Sequence, residues 1–236
     1  MSPFMGEFVG TALLIIMGDG VVANVVLNKT KGNNGGWIVI TFGWAMAVFL
    51  GVYASNKLGG GGHLNPAVTL ALTAFADFDH TLIIPYLAGQ FAGAFFGSVV
   101  VWIAYRQHFD VTEDKDSKLA VFCTGPAIRS AGNNFITEMI GTFVLVFGAM
   151  ALSPAATTLG SLDHLPVGLL VLAIGLSLGG PTGYAINPAR DLAPRVAHFV
   201  LPIKNKRDSD WSYSWIPVMG PIVGGLLAAA VFGLFL

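Results

Sequence analysis

Asn65-Pro66-Ala67 and Asn187-Pro188-Ala189 are the residues of this chain best suited to act on a solute. Each triplet follows a Gly-rich stretch and precedes a short run of small and apolar residues, too short to cross a bilayer. Proline suits the first position of a helix, where its missing N–H would be unsatisfied anyway. The asparagines therefore stand at helix starts, with an amide that can both donate and accept. A helix N-terminus carries about +0.5 charge and unpaired N–H groups. If two such ends meet, a monovalent cation about 4 Å from both, at an effective dielectric of about 20, is opposed by roughly 4 kcal/mol. That is about a thousandfold in occupancy, while the amides still offer donors to a neutral solute. Asn-Pro alone is a common turn dipeptide; two copies at matching positions argue for a built site.

Other groups could also do chemistry. Glu7 and Glu138 are carboxylates inside apolar runs, where acids are rare and need partners. They are expected to accept hydrogen bonds from the N–H groups of the two broken segments rather than to relay protons. Asp19, between Gly18 and Gly20, belongs either near the end of its helix or on a vestibule wall. His63 is expected to pack beside the first triplet as a structural residue, and no partner for a metal role is found. Gly175-Leu176-Ser177-Leu178-Gly179 matches G-x-S-x-G, but that motif needs a strand–turn–helix setting. Here it ends an apolar helix, so no enzyme is expected. The single cysteine, Cys123, allows neither an internal disulfide nor a multi-cysteine metal site.

The elements that hold these groups are apolar. The 236 residues are 54% hydrophobic and 11% charged, far below the ~25% charged residues of soluble domains. A net charge of −1 and the lack of a basic stripe exclude a nucleic-acid partner. Six spans are expected, near 4–27, 37–55, 81–105, 135–152, 166–178 and 215–235, with half-helices at 66–75 and 188–200. Asp77 and Pro154 are expected at the ends of the first half-helix and the fourth span. The first run is too long for a signal-peptide core and has no basic start, so it reads as a retained helix. The order is three spans and a half-helix, twice: repeats at about 1–106 and 132–236, joined by a polar linker at 107–131. Glu7-Phe8-Val9-Gly10-Thr11 answers Glu138-Met139-Ile140-Gly141-Thr142. An odd number of spans per repeat makes the repeats inverted. Gly6/Gly10, Gly89/Gly93/Gly97 and Gly220/Gly224 are read as close helix packing within one subunit.

Gly62-His63-Leu64-Asn65-Pro66-Ala67-Val68-Thr69, Gly183-Tyr184-Ala185-Ile186-Asn187-Pro188-Ala189-Arg190-Asp191 and the two Glu-x-x-Gly-Thr starts carry a specific likeness. The chain resembles the aquaporin superfamily, the major intrinsic proteins, and within it the bacterial glycerol facilitators or aquaglyceroporins. The resemblance implies an all-α membrane protein with six transmembrane helices, two re-entrant half-helices, one pore per subunit and a homotetramer. It implies a passive channel for glycerol, other small uncharged solutes and water that excludes ions and protons and needs no cofactor. It places a narrow filter at Trp44, Gly175, Tyr184 and Arg190. Tyr184 stands where glycerol facilitators usually have Phe, and Trp44 lies one residue off the family spacing, an offset that an extra Gly in Gly59–Gly62 would explain. Trp44 and Tyr184 would face the CH groups of a polyol, Gly175 would leave room, and Arg190 would donate from the other side. Water-selective relatives usually carry His at the Gly175 position. Asp191, Arg195, Pro217 and Val218 fit the glycerol-facilitating subgroup, the Asp191–Arg195 pair letting its loop approach the last span.

The rival reading is a secondary transporter, which also uses inverted repeats and broken helices. Coupled transport usually needs ionisable residues in the pathway, and only Glu7, Asp19, Glu138 and Arg190 are candidates. The resemblance implies a bacterial plasma-membrane protein with cytoplasmic termini. Lys29, Lys31, Lys115, Lys118, Lys204, Lys206 and Arg207 would then face outside, against the positive-inside tendency.

Overall fold

The structure is a computed structural model that describes residues 2–75, 78–152 and 160–235; Asp77 and Pro154 lie outside them. Helices α1 (Pro3–Val26), α2 (Trp37–Lys57), the short α3 (Pro66–Phe75) and α4 (Ile83–Val111) form the first half. After α5 (Lys115–Ala120) come α6 (Ala131–Ala151), α7 (Leu165–Leu178), the short α8 (Pro188–Val200) and α9 (Ile216–Phe232). Among the described residues, six helical segments are long and apolar enough to cross a membrane, and Ile38, Ile84, Ile103 and Leu234 turn 62–83% of their surface outward. With backbone groups satisfied inside helices and apolar side chains outside, this is a multi-pass membrane protein.

Helix ends follow local chemistry. Ser2 accepts from the Met5 N–H at 3.3 Å, and Pro3 opens α1. The third span differs from expectation: α4 continues past Tyr105 to Val111. Polar residues from Arg106 onward mark the water boundary, but none of them breaks a helix. The linker also contains α5, capped by Asp114, which accepts from the N–H groups of Asp116 and Ser117 and the Ser117 hydroxyl. That hydroxyl, with the two N–H groups, holds the Asp114 carboxyl below its usual range.

Packing brings α1 against α4 and α2, α6 against α9, and α2 against α7. The half-helices cross over: α3 lies mainly on α9 and α8 mainly on α4. Glycine makes these approaches possible. A Cβ added at Gly93 would stand 2.3 Å from the Phe8 carbonyl oxygen of α1, and one at Gly224 only 2.1 Å from that of Met139. Gly93→Val or Gly224→Val is therefore expected to cost at least about 1–3 kcal/mol, because a helix backbone cannot yield as a side chain can. A lowered thermal unfolding midpoint in detergent would register it; an unchanged midpoint would refute the close packing.

Candidate pore site

Two loops enter the bundle and place α3 and α8 end to end. Asn65 Oδ1 accepts from the Ala67 N–H at 2.9 Å, and Asn187 Oδ1 accepts from Ala189 and Arg190 at 3.0 and 3.1 Å. Each asparagine thus caps its own half-helix. Its amide nitrogen reaches across: Asn65 Nδ2 donates to the Ile186 carbonyl at 2.7 Å, and Asn187 Nδ2 to the Leu64 carbonyl at 2.8 Å. An amide nitrogen has two hydrogens, so one donor on each remains for a solute.

The carbonyls that receive these bonds are aimed by unusual backbone. Leu64, Tyr184 and Ile186 have φ of 51°, 40° and 44°, a left-handed conformation costly for bulky and β-branched residues. Glutamates hold it. Glu7 accepts from the N–H groups of His63 and Leu64 at 3.1 and 2.7 Å, and from Ser55 and Gln90 at 2.9 and 2.8 Å. Glu138 accepts from Ala185 and Ile186 at 3.0 and 2.8 Å. Both carboxylates are buried. His63 sits against Thr69, with its Nδ1 3.1 Å from the hydroxyl, and against the rings of Phe78 and Tyr86.

A cavity of about 510 Å³ runs past Trp44, His63, Asn65, Tyr184, Asn187 and Arg190. Three of the four residues expected at the filter line it. Gly175 does not: a Cβ there would stand 2.9 Å from both the Tyr184 ring and Thr41. The space that glycine leaves is filled by Tyr184, which is also held edge-on to Trp37, while the Trp37 indole N–H donates to the Gly175 carbonyl at 2.9 Å. The Arg190 guanidinium carbon lies 4.0 Å above the centre of the Trp44 ring. It covers that face rather than opposing it across a gap.

Asp191 and Arg195 are buried and paired. Asp191 Oδ1 accepts from Arg195 Nε and Nη2 at 3.0 and 2.7 Å, and Oδ2 accepts from the Thr124 N–H and hydroxyl at 2.7 Å each. Arg195 also donates to the carbonyls of Thr124, Ser209 and Asp210. The pair ties α8 to two loops, 121–130 and 201–215. Its hydrogen bonds do not reach α9, where Pro217 is buried and Val218 half-buried. Phe122, within the first of these loops, offers its carbonyl to Arg190 Nη1 at 3.5 Å.

Asp19 lies seven residues before the end of α1 and does not line the cavity. It is fully buried, accepts from the Ser98 hydroxyl at 3.1 Å, and stands 4.0 Å from Arg190 Nη1. Sequence reasoning missed this neighbour of Arg190. The signal was an acid flanked by two glycines within an apolar helix, one of which, Gly18, bears directly on the Trp44 ring. Ser177 is exposed on α7, and no strand exists among the described residues to make a hydrolase turn. No cluster of metal-ligating side chains occurs among the described residues either.

The family profile described as "Major intrinsic protein" matches residues 1–232. Over 232 residues the chain is 55% identical to the "Probable glycerol uptake facilitator protein" of Thermotoga maritima, covering 98% of each. It is 55% identical over 228 residues to "Glycerol uptake facilitator protein 3" of Lactiplantibacillus plantarum, covering 97% of this chain and 94% of that one. Among solved structures, the aquaglyceroporin from Plasmodium falciparum superposes with a TM-score of 0.85 at 32% identity, over 98% of this chain and 94% of its own.

Proposed function

The chain belongs to the major intrinsic protein family, and from that premise we propose that it is a passive membrane channel for glycerol, other small uncharged solutes and water. It is a channel and not an enzyme. The observation that carries the reading is the crossed pair of amide hydrogen bonds, Asn65 to the Ile186 carbonyl and Asn187 to the Leu64 carbonyl, which sets two helix N-termini face to face on one cavity. Positive helix ends with one spare donor each admit a hydroxyl oxygen and oppose a cation.

Trp44, Tyr184 and Arg190 form the narrow filter in this reading, and Gly175 acts from behind by seating the Tyr184 ring. Glu7, Glu138 and His63 hold the loops. The halves at about 1–106 and 132–236 are inverted repeats joined by the linker, a reading supported by the matching bonds of Glu7 to Leu64 and of Glu138 to Ile186. Coupled transport is less well supported, because both glutamates are committed to backbone N–H groups. The protein works as a homotetramer in the bacterial plasma membrane with its termini in the cytoplasm. Several outward basic residues serve the fold, which supports that orientation despite the positive-inside tendency. Lys118 Nζ donates to the Lys204 carbonyl, Lys206 Nζ to three carbonyls at the end of α8, and Arg207 pairs with Asp116.

Proteoliposomes moved by stopped flow into hyperosmotic glycerol should shrink and then reswell at a rate linear in glycerol and indifferent to a proton or sodium gradient. Water efflux with no reswelling would refute the polyol assignment, and gradient-driven accumulation would refute the channel. Gly175→Ala tests the filter. Its methyl displaces Tyr184 toward the cavity, so glycerol flux is expected to fall about tenfold and water flux less; equal losses would count against the assignment.

A further inference from the structure

We propose that Asp19 is the counter-charge of the filter, a specificity-determining residue that keeps a pore lined by positive groups from admitting anions. The inference rests on Arg190 lining the pore. Around the cavity the fixed charge is positive: two helix N-termini and the Arg190 guanidinium. Such a lumen rejects cations, but by the same field it attracts small anions. A negative charge nearby cancels that attraction.

The other buried carboxylates are already committed. Glu7 and Glu138 receive the N–H groups of the loops. Asp191 receives two nitrogens of Arg195 and two donors of Thr124. Asp19 is different. One of its oxygens accepts from Ser98, while the other has no hydrogen-bond partner among the described residues and faces Arg190 Nη1 at 4.0 Å. That is the one ion pair Arg190 makes among the described residues. At 4.0 Å the contact is between charges and is not a hydrogen bond. A site that needed only packing and a partner for Ser98 would be met by a neutral side chain, without the cost of an undonated buried oxygen.

The position suits the task. Asp19 is fully buried behind the guanidinium, so it balances Arg190 without entering the path or offering a passing cation a seat. Gly18 lets the Trp44 ring lie on α1 beside it, and Arg190 rests on that ring. Nearby Cys123 is buried and uncharged as a thiol, so it supplies no balance.

Removing the charge leaves one more unit of positive field at the filter. For a monovalent anion roughly 8 Å away, at an effective dielectric of about 20, occupancy rises on the order of thirtyfold. The test uses the full chain in proteoliposomes. Chloride entry is read with an entrapped halide-quenched dye, potassium entry with a potassium-sensitive dye, and glycerol entry by light scattering. Asp19→Asn should raise the ratio of chloride to glycerol flux about thirtyfold and leave that of potassium to glycerol low. Asp19→Glu, which restores the charge, and Ser98→Ala, which removes only the hydrogen bond, should both keep chloride out. If Asp19→Asn passes no glycerol, Asp19→Ser carries the same expectation in a smaller volume. Glycerol flux without added chloride entry would overturn the proposal. So would chloride and potassium rising together, which marks a loosened bundle, or a leak of equal size in Ser98→Ala. Failure of the channel reading looks different: the unaltered protein would pass no glycerol.

Discussion

Asn187→Asp should convert a pore that rejects cations into one that leaks them. Two facing helix ends oppose a monovalent cation by roughly 4 kcal/mol at an effective dielectric of about 20. A carboxylate in place of the Asn187 amide sets a full negative charge at the same point and offsets most of that barrier. Potassium permeation is then expected to rise by two to three orders of magnitude, on the order of the thousandfold the barrier supplies. The substitution keeps the acceptor that caps Ala189 and Arg190, so α8 should still start at Pro188. What it loses is the bond from Nδ2 to the Leu64 carbonyl, where two oxygens would now face each other. Glycerol entry should persist at a reduced rate. Potassium conductance in planar bilayers is the measurement, and a glycerol-competent variant with background conductance would remove the helix ends as the cation barrier.

Glu138→Ala should abolish glycerol flux and strongly destabilise the protein. The carboxylate satisfies the N–H groups of Ala185 and Ile186, both buried. Deleting it strands two donors at about 1–3 kcal/mol each. It also releases Tyr184 and Ile186 from left-handed backbone that costs on the order of 1–3 kcal/mol per residue to maintain. Relaxation there would turn the Ile186 carbonyl away from Asn65 and withdraw one of the two crossed amide hydrogen bonds. Glu138→Gln keeps an acceptor but points amide hydrogens at backbone donors, so an intermediate loss is expected. Unfolding midpoint in detergent and reswelling rate should fall together in the order Gln, then Ala. An alanine variant matching the unaltered protein in both would sink the role given to the glutamate.

The contrast between Gly175 and Asn187 shows what a sequence can carry. Asn187 announces its work through neighbours: a glycine run before it, proline after it, and a second copy at Asn65. Helix starts are local chemistry, so α3 and α8 begin at Pro66 and Pro188 as read. Long apolar runs likewise reveal the six spans, because contact with lipid is written in composition. Which side of a helix meets the pore is not written there. Gly175 faces a ring that returns nine residues later, and Asp19 faces Arg190 from a different half of the chain. Such meetings arise from packing between distant segments, and hydropathy treats lipid-facing and pore-facing apolar residues alike. The extension of α4 and the presence of α5 were hidden for another reason: a change to polar residues signals water, and a helix can continue into water unless something stops it.

Each half-helix is clasped by the opposite half, α3 by α9 and α8 by α4. Chains are made from the N-terminus, and α9 is the last of the long helices to emerge. Until Ile186 has been made, the first Asn-Pro-Ala segment has neither that residue's carbonyl nor the flank of α9 to rest on. The nascent protein is therefore an unfinished vessel in the bilayer until α9 is made. A ribosome that stops before α9 leaves behind no half-sized channel, only a membrane segment without a conduit.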